Sequence, residues 1–201
     1  MSPHSTLGDR ISALAVLTLQ DPRQAARTLL AEGVPLRART AGLLLVAVVS
    51  ALLASLQLGT GRQGLDPFSA FMLASPFRAA VVQWLFLALS VVLIHRVGRA
   101  FGGRGALADA LLIVVWLQLL TLVLQVLQLV ASLIAPPLAG VIGLGGFVLF
   151  LWLMTAFIAE LHGFASRGLV FLGMVLTAIA TGLVLGTALI LLFGPETFAD
   201  V

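Results

Sequence analysis

Apolar residues run along this chain in long unbroken blocks, not in the short alternating segments of a β-barrel. An α-helix rises 1.5 Å per residue, so about 20 apolar residues cross the roughly 30 Å of bilayer hydrocarbon. Five blocks reach that length, at about 40–58, 76–94, 110–134, 138–159 and 169–193. Pro76 falls in the first turn of the second, where proline is tolerated. Pro136 and Pro137 separate the third from the fourth, and Gly194-Pro195 ends the fifth. The pattern predicts an all-α membrane protein, a five-transmembrane-helix bundle with a short N-terminal amphipathic helix. Its divisions are an N-terminal segment 1–39, a membrane domain 40–193 and a short tail 194–201.

Composition agrees: 61% of the 201 residues are hydrophobic and 9% are charged, with a mean hydropathy of +1.17. So few charges do not cover a water-facing surface, for which roughly 25% is usual. Lys, Asn, Tyr and Cys are absent and all 11 basic residues are Arg. The missing types mostly have AT-rich codons, which points to a GC-rich bacterial genome. Without Cys there is neither a disulfide nor a thiolate metal site. The net charge of +3 is carried by arginines scattered over the flanks of the spans, so no nucleic-acid partner is expected. Residues 1–9 lack the basic and apolar regions of a signal peptide, so the first span is expected to direct insertion.

The arginines set an orientation. Arg10, Arg23, Arg27, Arg37 and Arg39 precede the first span. Arg96, Arg99 and Arg104 lie between the second and third, and Arg167 lies between the fourth and fifth. The opposite side has Arg62 and Arg78. The positive-inside rule then places the N-terminus in the cytoplasm and the C-terminal tail outside, in a bacterial inner membrane.

In the N-terminal segment, Asp21-Pro22-Arg23-Gln24 reads as a helix start and Gly33 as a stop. Ala25, Ala26, Leu29 and Leu30 share an arc of about 140° bordered by Arg23 and Arg27. Such a helix either lies on the inner membrane surface or docks on the protein's own loops. The stretch 11–20 before it is apolar but too short to span.

Four groups of residues are candidates for chemistry or assembly. Gln118, Thr121, Gln125 and Gln128 lie within an arc of about 80° on the third span. Such a stripe faces protein or water, not lipid. It either bonds neighbouring helices, with Gln83 a possible partner, or lines a polar cavity. His95, Asp109, Glu160 and His162 map to the arginine-rich ends of spans two to four. They form either a metal or proton-relay site or a set of ionisable groups gathered at an interface. Ala178, Gly182 and Gly186, and likewise Ala47, Ala51 and Ser55, recur at fourfold spacing. These small-residue faces serve internal packing or a seam between copies. Phe101-Gly102-Gly103-Arg104-Gly105 is glycine-rich but lacks the Lys-Ser/Thr of a phosphate loop, so a tight turn is expected. No nucleophile, base and orienting group recur together, and no HExxH or Rossmann turn is present. No enzyme activity, cofactor or metal is expected.

Several of these pieces resemble the Yip domain family of Ypt-interacting-protein-like membrane proteins, in particular its short bacterial members. They are Phe101-Gly102-Gly103-Arg104-Gly105 before the third span, Trp116 within it, Pro136-Pro137 after it, Glu160-Leu161-His162-Gly163-Phe164 at the turn into the fifth, and Asp21-Pro22-Arg23 upstream. The resemblance implies five transmembrane helices, a cytoplasmic N-terminus and no catalytic residues. In eukaryotes the family is associated with Rab-type GTPases and vesicle traffic. That role is not carried to a bacterial chain with so short an N-terminal region. The expected function is to bind or organise other membrane components, whether other proteins or copies of itself. The alternatives are a transporter or channel component using the glutamine stripe, and a lipid-acting enzyme centred on the His95, Asp109, Glu160 and His162 group.

Overall fold

The structure, a computed structural model, describes residues 6–58 and 75–193. These residues form seven α-helices and no strand: α1 Leu7–Gln20, α2 Pro22–Ala31, α3 Leu36–Leu58, α4 Pro76–Ala100, α5 Leu107–Ile134, α6 Pro136–His162 and α7 Arg167–Phe193. The expected tail 194–201 and Arg62 lie outside the described residues.

Local chemistry sets the helix ends. Thr6 and Asp9 close a reciprocal capping box at the start of α1. Asp21 caps α2 by accepting from the N–H groups of Arg23 (3.1 Å) and Gln24 (3.0 Å). Ser75 caps α4 and Pro76 opens it. Pro136 and Pro137 fill the first turn of α6, where no N–H is needed. The apolar stretch 11–20, too short to span, forms most of α1. It packs on α2 as the first arm of a helical hairpin.

Helices α3 to α7 each carry a segment long and apolar enough to cross a membrane. They outrun the expected spans at the arginine-rich end, because regular helix continues beyond the hydrocarbon into the headgroup zone. α5, with 28 residues, is about 42 Å long at 1.5 Å per residue. The helices present large apolar side chains outward along much of their length, among them Leu45, Phe86, Val123, Leu144 and Val184. Contiguous apolar surface of that extent is stable only against lipid. The chain is an integral membrane protein.

The core is uneven. α5 packs on α3, α4 and α6, and α3 also packs on α4. Burial in α5 is dense from Ala110 to Gln118, and beyond that only Ala131 is buried. In α6 the buried residues begin at Leu153. The packed core therefore sits at the arginine-rich end, and the opposite half is looser. α7 joins mainly through α6, and Val170 is its only buried residue among those described.

The α1–α2 hairpin covers the packed end. Ala25, Ala26 and Leu29 are buried, and α2 contacts α5 and α6. An apolar arc suits lipid and protein equally, and here the protein's own helix ends fill it.

Candidate functional site

Two regions gather the polar side chains. The first, at the arginine-rich end, is built around His162. α6 stops there because Gly163 takes φ 74°, a left-handed conformation that glycine adopts without strain. The His162 ring is 3% exposed. The Gly105 N–H donates to its Nδ1 at 3.2 Å, and its Nε2 lies 3.1 Å from the Ile94 carbonyl. An N–H donor on one nitrogen and a carbonyl on the other require the neutral ring protonated at Nε2. Phe164 stacks beside it with centroids 5.5 Å apart.

Three glycines form the walls. A Cβ on Gly98 or Gly103 would overlap the imidazole, and one on Gly105 would lie 2.9 Å from its Cε1 and 2.6 Å from Leu161 Cγ. His95 reaches the next peptide of the same loop, its Nδ1 3.1 Å from the Gly105 carbonyl, so that nitrogen carries the proton. The Arg104 N–H donates to the His162 carbonyl at 3.3 Å, which ties the loop to the end of α6. The glycine-rich loop and the Glu160–Phe164 turn are thus two halves of one lock.

Asp109 and Glu160 do not join the two histidines. Asp109 lies in the first turn of α5, where a negative charge is favourable. It pairs with Arg39 at 2.8 Å. Arg39 is 9% exposed and also donates to the carbonyls of Val34 (2.7 Å) and Ala108 (2.6 Å). Glu160 faces Arg27 at 3.6 Å. Arg23 donates to the carbonyls of Phe164 and Ala165 at 3.1 and 3.3 Å. Arg37, Arg96, Arg99, Arg104 and Arg167 are exposed. No three of His, Cys, Asp and Glu stand together as a metal set among the described residues.

Sequence reasoning passed over two members of this end. Thr18, fully buried, accepts from Trp116 Nε1 at 3.1 Å and donates to the Leu14 carbonyl at 2.8 Å. Gly98 is the other; its only signal was a glycine at the end of an otherwise bulky helix.

The second region lies in the looser half, between α5 and α6. Gln118 is buried at its closed end and donates to Ser50 Oγ on α3 at 2.8 Å, not to Gln83. From there Gln118, Thr121, Leu124, Gln125 and Gln128 form one wall of a half-open cavity of about 260 Å³. Ile142, Gly143, Gly146, Phe147 and Phe150 form the other. Gln128 lies against Gly143, where a Cβ would come within 2.6 Å of its Nε2. Gln125 accepts at its backbone carbonyl from Gln57 Nε2 at 3.1 Å. Among the described residues no ionisable side chain lines this groove.

The two small-residue faces differ. Ala47 and Ala51 are buried, and Ser55 donates to the Ala51 carbonyl at 2.8 Å. On α7, Ala178 and Gly182 are exposed and Gly186 is half-buried. A Cβ on Gly182 or Gly186 would meet nothing within 4 Å among the described residues.

Fold and geometry define a polytopic α-helical membrane protein, locked at one end by a glycine-caged histidine and open along a polar groove in the other half. The family model of the Yip1 domain matches residues 16–189, and the chain belongs to that family. No curated protein and no solved structure matches the chain.

Proposed function

We propose that this protein is a non-enzymatic organiser of the membrane, holding other membrane components in lateral contact with its looser half. The observation that carries the reading is the contrast along the bundle. At the arginine-rich end the buried polar side chains, those of Thr18, Arg39 and His162, are each tied to another part of the chain. In the other half, a polar groove and the small-residue face of α7 are left unfilled by the described residues. A helix that crosses lipid with a glycine-bearing face admits close approach of another helix. We place the locked end in the cytoplasm of a bacterial inner membrane, because nine of the 11 arginines belong to it.

The transporter reading has one observation in its favour, the cavity beside Gln118, Gln125 and Gln128. Against it, the path toward the arginine-rich end is filled by Leu111, Ile113, Val114, Leu117 and Phe157, all buried. A groove blind at one end suits a docking site better than a conduit. The enzyme reading has lost its constellation, since the carboxylates and the histidines hold separate partners.

The test is purification in mild detergent after cross-linking in native membranes at native expression. The reading expects a reproducible co-purifying component. A strictly monomeric protein without bound protein or lipid overturns it.

A further inference from the structure

We propose that the groove between α5 and α6 is a binding site for an uncharged glycerolipid bearing ester carbonyls and a free hydroxyl, of the diacylglycerol type. This deepens the reading above by naming one component that the looser half holds.

Size decides first. An α-helix about 10 Å across fills roughly 800 Å³ over two turns. The cavity of about 260 Å³ is therefore too small to enclose a partner helix. It lies just below the range of small-molecule pockets, about 300–1,000 Å³. A lipid backbone with the first part of its chains matches that scale.

Position decides next. Gln118 is 11 residues into α5 from Leu107, about 17 Å along the axis, near the middle of the span. Gln128 is six residues from Ile134, about 9 Å from the far end. The groove therefore runs from mid-membrane toward the leaflet opposite the arginines. Its mouth holds Phe147, which is 59% exposed, so a lipid enters sideways.

Lining chemistry decides last. Among the described residues the lining has no ionisable group, and so nothing to compensate a phosphate or carboxylate. On the α5 wall Gln118 already donates to Ser50 Oγ, and Gln125 and Gln128 offer primary amides, each both donor and acceptor. A bare hydrocarbon chain would leave them unmatched in an apolar medium. A quinone brings acceptors only and a polyprenol a single hydroxyl. An acylglycerol brings carbonyl acceptors and a hydroxyl donor together. The α6 wall, with Ile142, Phe147, Phe150 and two glycines, gives the chains a smooth apolar face.

The experiment uses the full chain in native membranes with three photoreactive, clickable probes: diacylglycerol, an isoprenoid quinone and phosphatidylglycerol. Sites of labelling are mapped by peptide mass spectrometry. Diacylglycerol is expected to label 118–128 and 142–150 above the other two probes. In the triple variant Gln118→Leu, Gln125→Leu, Gln128→Leu that labelling falls about five- to tenfold, the loss of two hydrogen bonds of membrane strength. Phosphatidylglycerol labelling of the exposed outer faces stays unchanged and serves as the control for folding. Thr121→Phe, which fills the cavity without removing an amide, is expected to lower diacylglycerol labelling comparably. Labelling spread evenly over all spans, equal labelling of the groove by phosphatidylglycerol or quinone, or labelling indifferent to both variants overturns the proposal. A protein partner that still co-purifies in that case leaves the organiser reading standing and removes only this site.

Discussion

Gly98→Ala inverts the usual expectation for a helix. Replacing glycine by alanine inside a helix normally stabilises by about 0.5–1 kcal/mol through backbone entropy. Gly98 lies in the last turns of α4, in helical backbone, so that gain is available in part. Its Cβ site, however, is occupied by the His162 ring, held by packing and by two hydrogen bonds. There are two ways out. If the ring stays, α4 and α6 are forced apart, an overpacking cost of about 1–3 kcal/mol. If the ring swings away, the bonds from Gly105 and to Ile94 are lost, at about 0.5–1.5 kcal/mol each. Either way the net effect is a destabilisation of about 1–3 kcal/mol, opposite in sign to the propensity effect.

The assay is reversible unfolding in mixed micelles, with a double-mutant cycle against His162→Ala. With the ring absent, Gly98→Ala should be neutral or slightly stabilising. Nitrogen NMR of His162 gives a second readout, because the native pattern fixes one tautomer. A Gly98→Ala protein at least as stable as the parent refutes the cage. So does an equal cost in both backgrounds.

Three further outcomes follow from the same end of the molecule. Arg39→Met should destabilise by about 1–3 kcal/mol, since it unpairs Asp109 and two carbonyls; Arg39→Lys should rescue only part of this in the same unfolding assay, because one ammonium does not reproduce the guanidinium fork. Thr18→Val should cost about 1–3 kcal/mol by leaving the buried Trp116 N–H unpaired, read as faster proteolysis of the α1–α2 hairpin at unchanged membrane insertion. The Thr6 hydroxyl and backbone N–H hold the Asp9 carboxyl below its ordinary value of 3.8, so the cap contributes fully above that pH and is lost as the pH falls below it. Hydrogen exchange at the start of α1 should therefore accelerate in acid, and Asp9→Asn should remove the pH dependence.

The spans were legible because twenty apolar residues in a row have one stable solvent, and proline pairs and glycines punctuate them. Their ends were not, because a helix does not stop where hydrocarbon stops: α4 continues to Ala100, where Gly102 at φ 84° and the Gly103 N–H on the Gly98 carbonyl close it, and α5 begins at Leu107. For α2 the arc was readable and its partner was not, since Ala25, Ala26 and Leu29 present the same face to lipid or to α6. The identical small-residue spacing in α3 and α7 has opposite outcomes, one face packed inside and the other left open by the described residues. Spacing records what a helix can admit; the contacts of the neighbouring helices decide whether anything is admitted. The four ionisable residues share one end of the helices in the sequence pattern, but pairing Asp109 with Arg39 needs the 70-residue separation between them to be closed by the fold.

The bundle also divides its polar groups by depth in a way that constrains any mechanism. Charged pairs and the histidine lock lie at the arginine-rich end, where headgroups and water soften the cost of a charge. They fix α2, α4, α5 and α6 against one another there. Within the membrane only uncharged amides and hydroxyls occur on α5, and they sit where the helices diverge. A charge in that position would demand a permanent partner and close the groove. An amide tolerates exchange of partners at a cost of about 0.6 kcal/mol per bond, comparable to thermal energy. The looser half can therefore take up and release an uncharged ligand without disturbing the lock, because the two regions share the backbone of α5 and α6 but no side-chain hydrogen bond.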